Sequence, residues 1–331
     1  MSAWAGRRML VTGGTGFIGS HMVETLLERG AQVRVVGRSR ERFFTVLGPR
    51  AKDVEFLEGD LSDPSMARRA CYQMQAVCHL AGSVAGVGYN HQHPGTIFTA
   101  NVEMGVRMLD AAARAGVDRF LCMSSACVYR RDCIVPTPES EGFVGDPEPT
   151  NFGYGWAKRV LEVQARCYAQ EFPMQIAIVR PYNAYGPRDN FNWETSHVIP
   201  ALIRKAVEGH DPIVLWGDGT QSRSFLYVSD FVEGSLLALE WYAACDPVHI
   251  GTTEEITVAE LMRLILELSG RQAKVVCDTT KPQGQPRRLG DFTKAKTKLG
   301  FSPAVPLREG LRRTIAWYLE SRATCAAPSS S

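Results

Sequence analysis

The sequence lacks any apolar run near the ~18 residues that a membrane-crossing helix needs, which removes a bilayer as partner. The stretch MSAWAGRRMLVTGG has neither the apolar core nor the cleavage site of a secretory signal. A cytoplasmic protein is therefore expected. Charge of one sign is also missing: 37 basic and 35 acidic residues leave +2, so nucleic acid is not expected as a partner. A local basic site for phosphates stays open. None of the nine cysteines forms a Cys-x-x-Cys pair, which argues against a zinc knuckle or a dithiol redox site. Most are expected to be reduced, buried small hydrophobes. His91 and His93 have no cysteine or carboxylate beside them, so no metal is expected. No internal repeat is present.

What is there is the composition of a globular chain, 45% apolar and 22% charged, long enough for one large or two ordinary domains. Short apolar runs at 8–12, 32–36, 54–57, 76–80, 120–123 and 175–179 read as strands. Helical patterns separate most of them, notably at 101–115 and 154–170. This alternation predicts an α/β fold, a Rossmann-type doubly wound parallel sheet with helices on both faces. After about residue 181 loops lengthen and strands thin out, with helices predicted at 198–208, 230–241, 258–269 and 307–320. The expected division is a dinucleotide-binding domain over 1–181, a smaller α/β substrate domain over 182–323 that lends segments back to the sheet, and a disordered tail over 324–331.

TGGTGFIG, residues 12–19, places Gly13, Gly16 and Gly19 after the first strand and before the first helix. Such a loop lets backbone N–H groups approach a pyrophosphate, and the helix N-terminus favours the anion. The second strand ends VVGRSR, with no carboxylate for a ribose 2′-hydroxyl and with Arg38 and Arg40 available for a 2′-phosphate. NADP is favoured and tightly bound NAD is the alternative. Asp60 and Leu61 follow the third strand, where Asp60 is positioned for the adenine amino group.

These features, with Tyr154-Gly-Trp-Ala-Lys158 (YGWAK), resemble the extended short-chain dehydrogenase/reductase family, the NAD-dependent epimerases and dehydratases, over nearly the whole chain. Within it SSACVY, PTNFGYGWAK, NAYGPRDNFNWETSHVIPALIRK and DTTKPQGQPRRLGD are most similar to the GDP-L-fucose synthase branch. The GDP-mannose 3,5-epimerase branch is next, since SSACVY and WGDGTQSRSF suit it as well. The resemblance implies a nucleotide-diphosphate sugar as substrate and a homodimer built on helices 101–115 and 154–170. It implies a cofactor site of Gly13, Thr15, Gly16, Phe17, Ile18, Gly19, Arg38, Arg40, Asp60, Leu61, Ala81 and Lys158.

Tyr154 and Lys158 share one helix face, where the ammonium is expected to stabilise phenolate; Ser125 adds a hydrogen bond to the same substrate oxygen. Together they suit hydride transfer at a carbonyl. Cys127, two residues beyond Ser125, faces the same pocket if extended geometry continues that far. A 4-keto sugar has acidified C3–H and C5–H bonds, and inverting such a carbon takes a base on one face and an acid on the other. Cys127 and His197 are the candidates, His197 being kept neutral by the positive end of the helix that follows it. Core packing for the thiol and helix capping for the imidazole are the competing readings. Arg223, Arg287 and Arg288, with Asn183, are assigned to the diphosphate. The expected activity is C3/C5 epimerisation followed by NADPH reduction at C4. The alternatives are a redox-neutral NAD-dependent epimerase and a non-catalytic dinucleotide sensor.

Overall fold

A computed structural model of the chain describes residues 2–83, 87–281 and 285–326. The first half supplies β1 (Arg8–Thr12), β2 (Gln32–Gly37), β3 (Val54–Glu58), β4 (Ala76–His79), β5 (Arg119–Met123) and β6 (Gln175–Pro181). Its helices are α1 (Phe17–Glu28), α2 (Arg40–Leu47), α3 (Pro64–Cys71), α4 (Val87–Gln92), α5 (Pro94–Arg114) and α6 (Phe152–Glu171). Pro94 stands at the first helical position of α5, where its missing N–H costs nothing, so α5 begins well before the predicted 101.

The second half contains β7 (Ala184–Tyr185), β8 (Ile213–Trp216), β9 (Ser222–Ser224), β10 (Leu226–Tyr227), β11 (Val248–Ile250), β12 (Glu255–Thr257), β13 (Val275–Asp278) and β14 (Arg287–Arg288). It also contains α7 (Val198–Val207), α8 (Val228–Trp241), α9 (Val258–Ser269), α10 (Thr293–Leu299) and α11 (Leu307–Ala326). Strands here are short rather than few, which corrects the sequence reading: runs of two to four residues carry no visible period-2 pattern. Helix α11 continues to Ala326, into the stretch read as tail; the residues beyond it lie outside the described set.

The central sheet has the order β11-β6-β5-β4-β1-β2-β3, all parallel. β11, from the second half, pairs with β6 and completes one edge. Successive residues of a strand face opposite ways, and the core divides accordingly. Val11, Val35, Leu121 and Val179 join Met22, Val23 and Leu236 on one face. Leu10, Val36, Phe120 and Ile178 join Met108, Leu109 and Leu161 on the other. A third cluster, including Ile199, Ile203, Phe225, Leu261 and Ile315, underlies the second lobe, and Phe17 and Ile18 of α1 pack against it. Chain order reverses between β1 and β4, and a ligand crevice forms where strand C-termini meet such a reversal. No helix of the described residues is long and apolar enough to cross a membrane.

Candidate active site

The glycine loop lies at that reversal. Gly13 has φ +70°, and a Cβ there would stand 2.9 Å from the Ala81 nitrogen, so the position suits glycine alone. Ala81 is held by its N–H to Thr12 Oγ1 at 3.1 Å, and Thr12 in turn meets His79 Nδ1 at 2.9 Å. Burial pushes His79 down to about 3, leaving a neutral imidazole under the loop. A bare backbone bend followed by the N-terminus of α1, with no acidic side chain in its first turn, fits a dinucleotide pyrophosphate.

At the rim of β2, Arg38 is exposed and contributes to lowering Asp60, whose carboxylate is engaged mainly by Ser62. Arg40 pairs with Glu58 at 3.5 Å and lies over Phe56. Arg42, which the sequence reading passed over, donates Nε to the Thr15 carbonyl at 3.2 Å. Leu61 is buried beneath this edge.

The extended geometry does not reach Cys127. β5 ends at Met123, and residues 126–128 make a 3-10 turn that Ser125 opens by accepting the Cys127 N–H on its Oγ at 3.0 Å. Alternation along a strand is therefore not what brings the two side chains together. Proximity comes instead from α6: a Cβ at Gly155 would stand 2.3 Å from the Cys127 carbonyl oxygen, so glycine lets the helix lie against the turn. That contact brings Tyr154 to the Ser125 hydroxyl and into the field of the Cys127 sulfur.

The protonation of Tyr154 also departs from expectation. Burial pushes the phenol up, the Cys127 sulfur adds to this, and Ser125 and Arg288 only partly oppose it. Lys158 donates Nζ to the Met123 carbonyl at 2.8 Å and lies 5.5 Å from the Tyr154 ring centre. Its own value is lowered, chiefly by burial. Tyr154 is thus a neutral phenol, a proton donor rather than a phenolate.

β9 and β14 pair in parallel with Arg223 opposite Arg288 and Ser222 opposite Arg287. Neighbours in a strand face opposite ways. Arg288 reaches Cys127 Sγ with Nη2 at 3.4 Å, whereas Arg287 is exposed and forks onto Glu255 at 2.9 Å. The structure therefore separates the two arginines that the sequence reading grouped. Burial and the adjacent Arg288 lower Arg223 to about 10, the signature of two guanidiniums facing one space. Asn183 spends Nδ2 on the Ser224 carbonyl at 2.9 Å, tying the β6–β7 turn to β9. Glu148 was not singled out in the sequence; it is buried, and its charge is felt by both Arg223 and Arg288.

His197 is the N-cap residue of α7 and makes no capping bond with its side chain. Its ring is half exposed, and Nδ1 faces Asp189 Oδ1 at 3.9 Å. Asp189 raises its pKa and outweighs burial, so the expected depression by the helix end is reversed. A full carboxylate charge acts more strongly than the partial charge of a helix terminus. Val198 beside it packs against the core cluster of the second lobe.

Behind the site lies a buried ionic network that the sequence did not announce. Glu162, two turns beyond Tyr154, accepts Ser124 Oγ at 2.5 Å and a fork from Arg180 at 2.8 and 2.6 Å. Arg180 also donates to Tyr129 Oη at 2.9 Å, Tyr129 meets His249, and His249 Nδ1 donates to the Asp291 carbonyl at 2.9 Å. The chain of contacts runs from the residue before Ser125 to the segment after Arg288. Three of the eight described cysteines, Cys71, Cys78 and Cys122, are fully buried; the rest reach the surface to some degree. Among the described residues no group of three or more His, Cys, Asp or Glu could hold a metal ion. The side chain of His91 lies outside the described set, and the His93 ring lies 4.4 Å from that of Tyr89, centre to centre, tilted by 41°.

Residues 9–251 match the NAD dependent epimerase/dehydratase family. The probable GDP-L-fucose synthase 1 of Oryza sativa subsp. japonica is 34% identical, covering 96% of this chain and 93% of that protein. A dTDP-4-dehydro-6-deoxy-D-allose reductase of Streptomyces bikiniensis is 33% identical, covering 95% and 97%. Among solved structures, a GDP-L-fucose synthetase from Naegleria fowleri bound to NADP superposes with a TM-score of 0.83 at 26% identity, covering 98% of this chain and 96% of that one.

Proposed function

The chain belongs to the NAD dependent epimerase/dehydratase family, and from that premise we propose that it inverts C3 and C5 of a 4-keto-6-deoxy hexose nucleotide and then reduces C4, as a GDP-L-fucose synthase does. It is an NAD(P)-dependent nucleotide-sugar epimerase and oxidoreductase. The observation that carries the reading is the meeting of Cys127 with Tyr154 and Arg288. Hydride chemistry alone calls for Ser125, Tyr154 and Lys158; a sulfur beside them adds a group for moving a carbon-bound proton.

Gly13, Thr15, Gly16, Phe17, Ile18, Gly19, Asp60, Leu61, Ala81 and Lys158 would hold the dinucleotide, with Arg38 and Arg40 toward a 2′-phosphate, which favours NADP over NAD. When bound, it supplies the hydride for C4. Tyr154, as a neutral phenol, donates the proton to the C4 oxygen while Ser125 holds that oxygen. Cys127 and His197 exchange protons with C3 and C5 from the two sides of the ring. Arg223 and Arg288 clamp the diphosphate and fix the sugar in place. Arg287, paired outward with Glu255, is assigned to the outer wall of that loop. The expected assembly is a homodimer through α5 and α6, which leave Phe98, Phe152 and Val163 at the surface. The division near residue 181 into cofactor and substrate lobes belongs to the same reading.

The test is incubation with GDP-4-keto-6-deoxymannose and NADPH. Stoichiometric loss of NADPH absorbance is expected. Sugar inversion without NADPH loss would mean the redox-neutral epimerase; bound cofactor with no turnover would mean a sensor.

A further inference from the structure

We propose that Asp189 is a positioning residue for His197: its buried carboxylate faces Nδ1 of the imidazole and so turns Nε2 toward the sugar. The inference rests on the acid/base role of His197 proposed above. The Asp189 side chain is 2% exposed, yet His197 is half exposed. Oδ1 accepts the Asn190 N–H at 2.7 Å; Oδ2 has no hydrogen-bond partner among the described residues. A carboxylate out of water is costly unless a cation or donor comes to it. The imidazole, with Nδ1 3.9 Å from Oδ1, is the ring that faces this carboxylate, and its charged form compensates the buried anion.

The carboxylate is also held from behind. Arg188, at φ +67°, turns its side chain away from Asp189 and forks onto Glu24 of α1 at 2.7 and 2.5 Å. Its Nη2 also meets His21 Nδ1 at 2.8 Å, and His21 Nε2 donates to the Pro187 carbonyl at 2.9 Å. Burial lowers His21 to about 4, which keeps that ring neutral and able to make both contacts. Residues 187–189 are therefore bolted to the cofactor helix, and Asp189 passes that position on to His197. The other charges nearby are turned elsewhere. Arg204 of α7 lies over Trp193 and donates to the Phe191 carbonyl, Lys205 donates to the Val214 carbonyl, and Glu194 is exposed. Asp189 thus sets both the direction of the ring and the charge it prefers, as the carboxylate of a hydrolase triad does for its histidine.

The experiment combines two readouts on the whole enzyme. Nitrogen-detected NMR titration, with His197→Gln to assign the signal, reads the imidazole directly. Solvent-deuterium entry at C3 and C5, followed against pH, reads its work. The wild-type ring is expected to titrate above the ordinary imidazole value of about 6.5. Asp189→Asn is expected to bring it down by about one unit, move the alkaline limb of exchange by the same amount, and cut exchange at pH 8 roughly tenfold, with KM for the nucleotide sugar unchanged. Asp189→Glu should recover most of the loss. A wild-type ring titrating at or below the ordinary value, or an Asp189→Asn profile that does not move, would overturn the proposal. Should Asp189→Asn fail to fold, the wild-type titration still decides. No exchange in wild type with a raised ring titration would sink the acid/base role while leaving the Asp189–His197 pairing supported.

Discussion

The two candidate proton-transfer groups sit in opposite kinds of surroundings. Cys127 is on a 3-10 turn wedged between α6 and β14, over a small cluster of Ala126, Val128, Tyr129 and Tyr182. His197 is half exposed at the start of α7, located by a carboxylate and, behind it, an arginine fork to α1. A packed turn places the sulfur, with Arg288 against it; a buried carboxylate places the imidazole. The difference teaches that the sulfur corner should be the more sensitive to changes of shape, and the imidazole corner to loss of its carboxylate.

Four changes would break or sharpen that contrast, in descending order of expected effect. Cys127→Ser should abolish deuterium entry at C3 and C5 while NADPH binding, followed by fluorescence, stays intact; normal exchange would remove the sulfur from the chemistry. Tyr154→Phe should slow hydride transfer by about 10²–10⁴-fold in single-turnover kinetics and leave exchange measurable. Glu162→Gln strips the partner from buried Arg180 and should cost about 3–5 kcal/mol in urea unfolding, because an uncompensated charge remains inside. Arg38→Ala should raise the KM for NADPH about tenfold with little change for NADH, the loss of one charge-assisted hydrogen bond of about 1.5 kcal/mol.

The histidines give the contrast a pH signature. Burial lowers His21 to about 4 and His79 and His249 to about 3. Their neutral folded forms contribute stability that is present above about pH 6.5 and is lost as pH falls from there toward those values. His197 has the opposite sign: its contribution is present below about 6.5 and is lost as pH rises through its raised folded value. Thermal melts should therefore fall in temperature from pH 7 to pH 5, and His197→Gln should not remove that fall. A melting temperature flat across this range would contradict the burial argument.

The first half of the fold was legible because its strands are long enough to show apolar runs and its turns carry Gly13, Gly16 and Gly19 at fixed offsets. Strands such as Ala184–Tyr185 and Arg287–Arg288 are too short to leave a pattern; they exist because β10 and β9 pair with them. In the site, Ser125, Tyr154 and Lys158 were readable from spacing on one helix and one strand end. That Arg287 and Arg288 part company follows from a strand that the sequence does not reveal. Asp189 and Glu162 stayed hidden for another reason: an acidic residue in a loop or on a helix looks solvated until tertiary structure buries it beside His197 or Arg180. Burial, which pushes the Tyr154 phenol up, is likewise invisible in the sequence.

The central claim is that one crevice carries out proton transfer at two carbons and hydride transfer at a third. Its most direct test is mass spectrometry of the product formed in deuterated water from a 4-keto-6-deoxy GDP-hexose and protiated NADPH. Two carbon-bound deuterons from solvent, at C3 and C5, with one NADPH consumed per product, are predicted. A product made with the same NADPH consumption and no carbon-bound deuteron from solvent would show a plain ketone reductase and contradict the account.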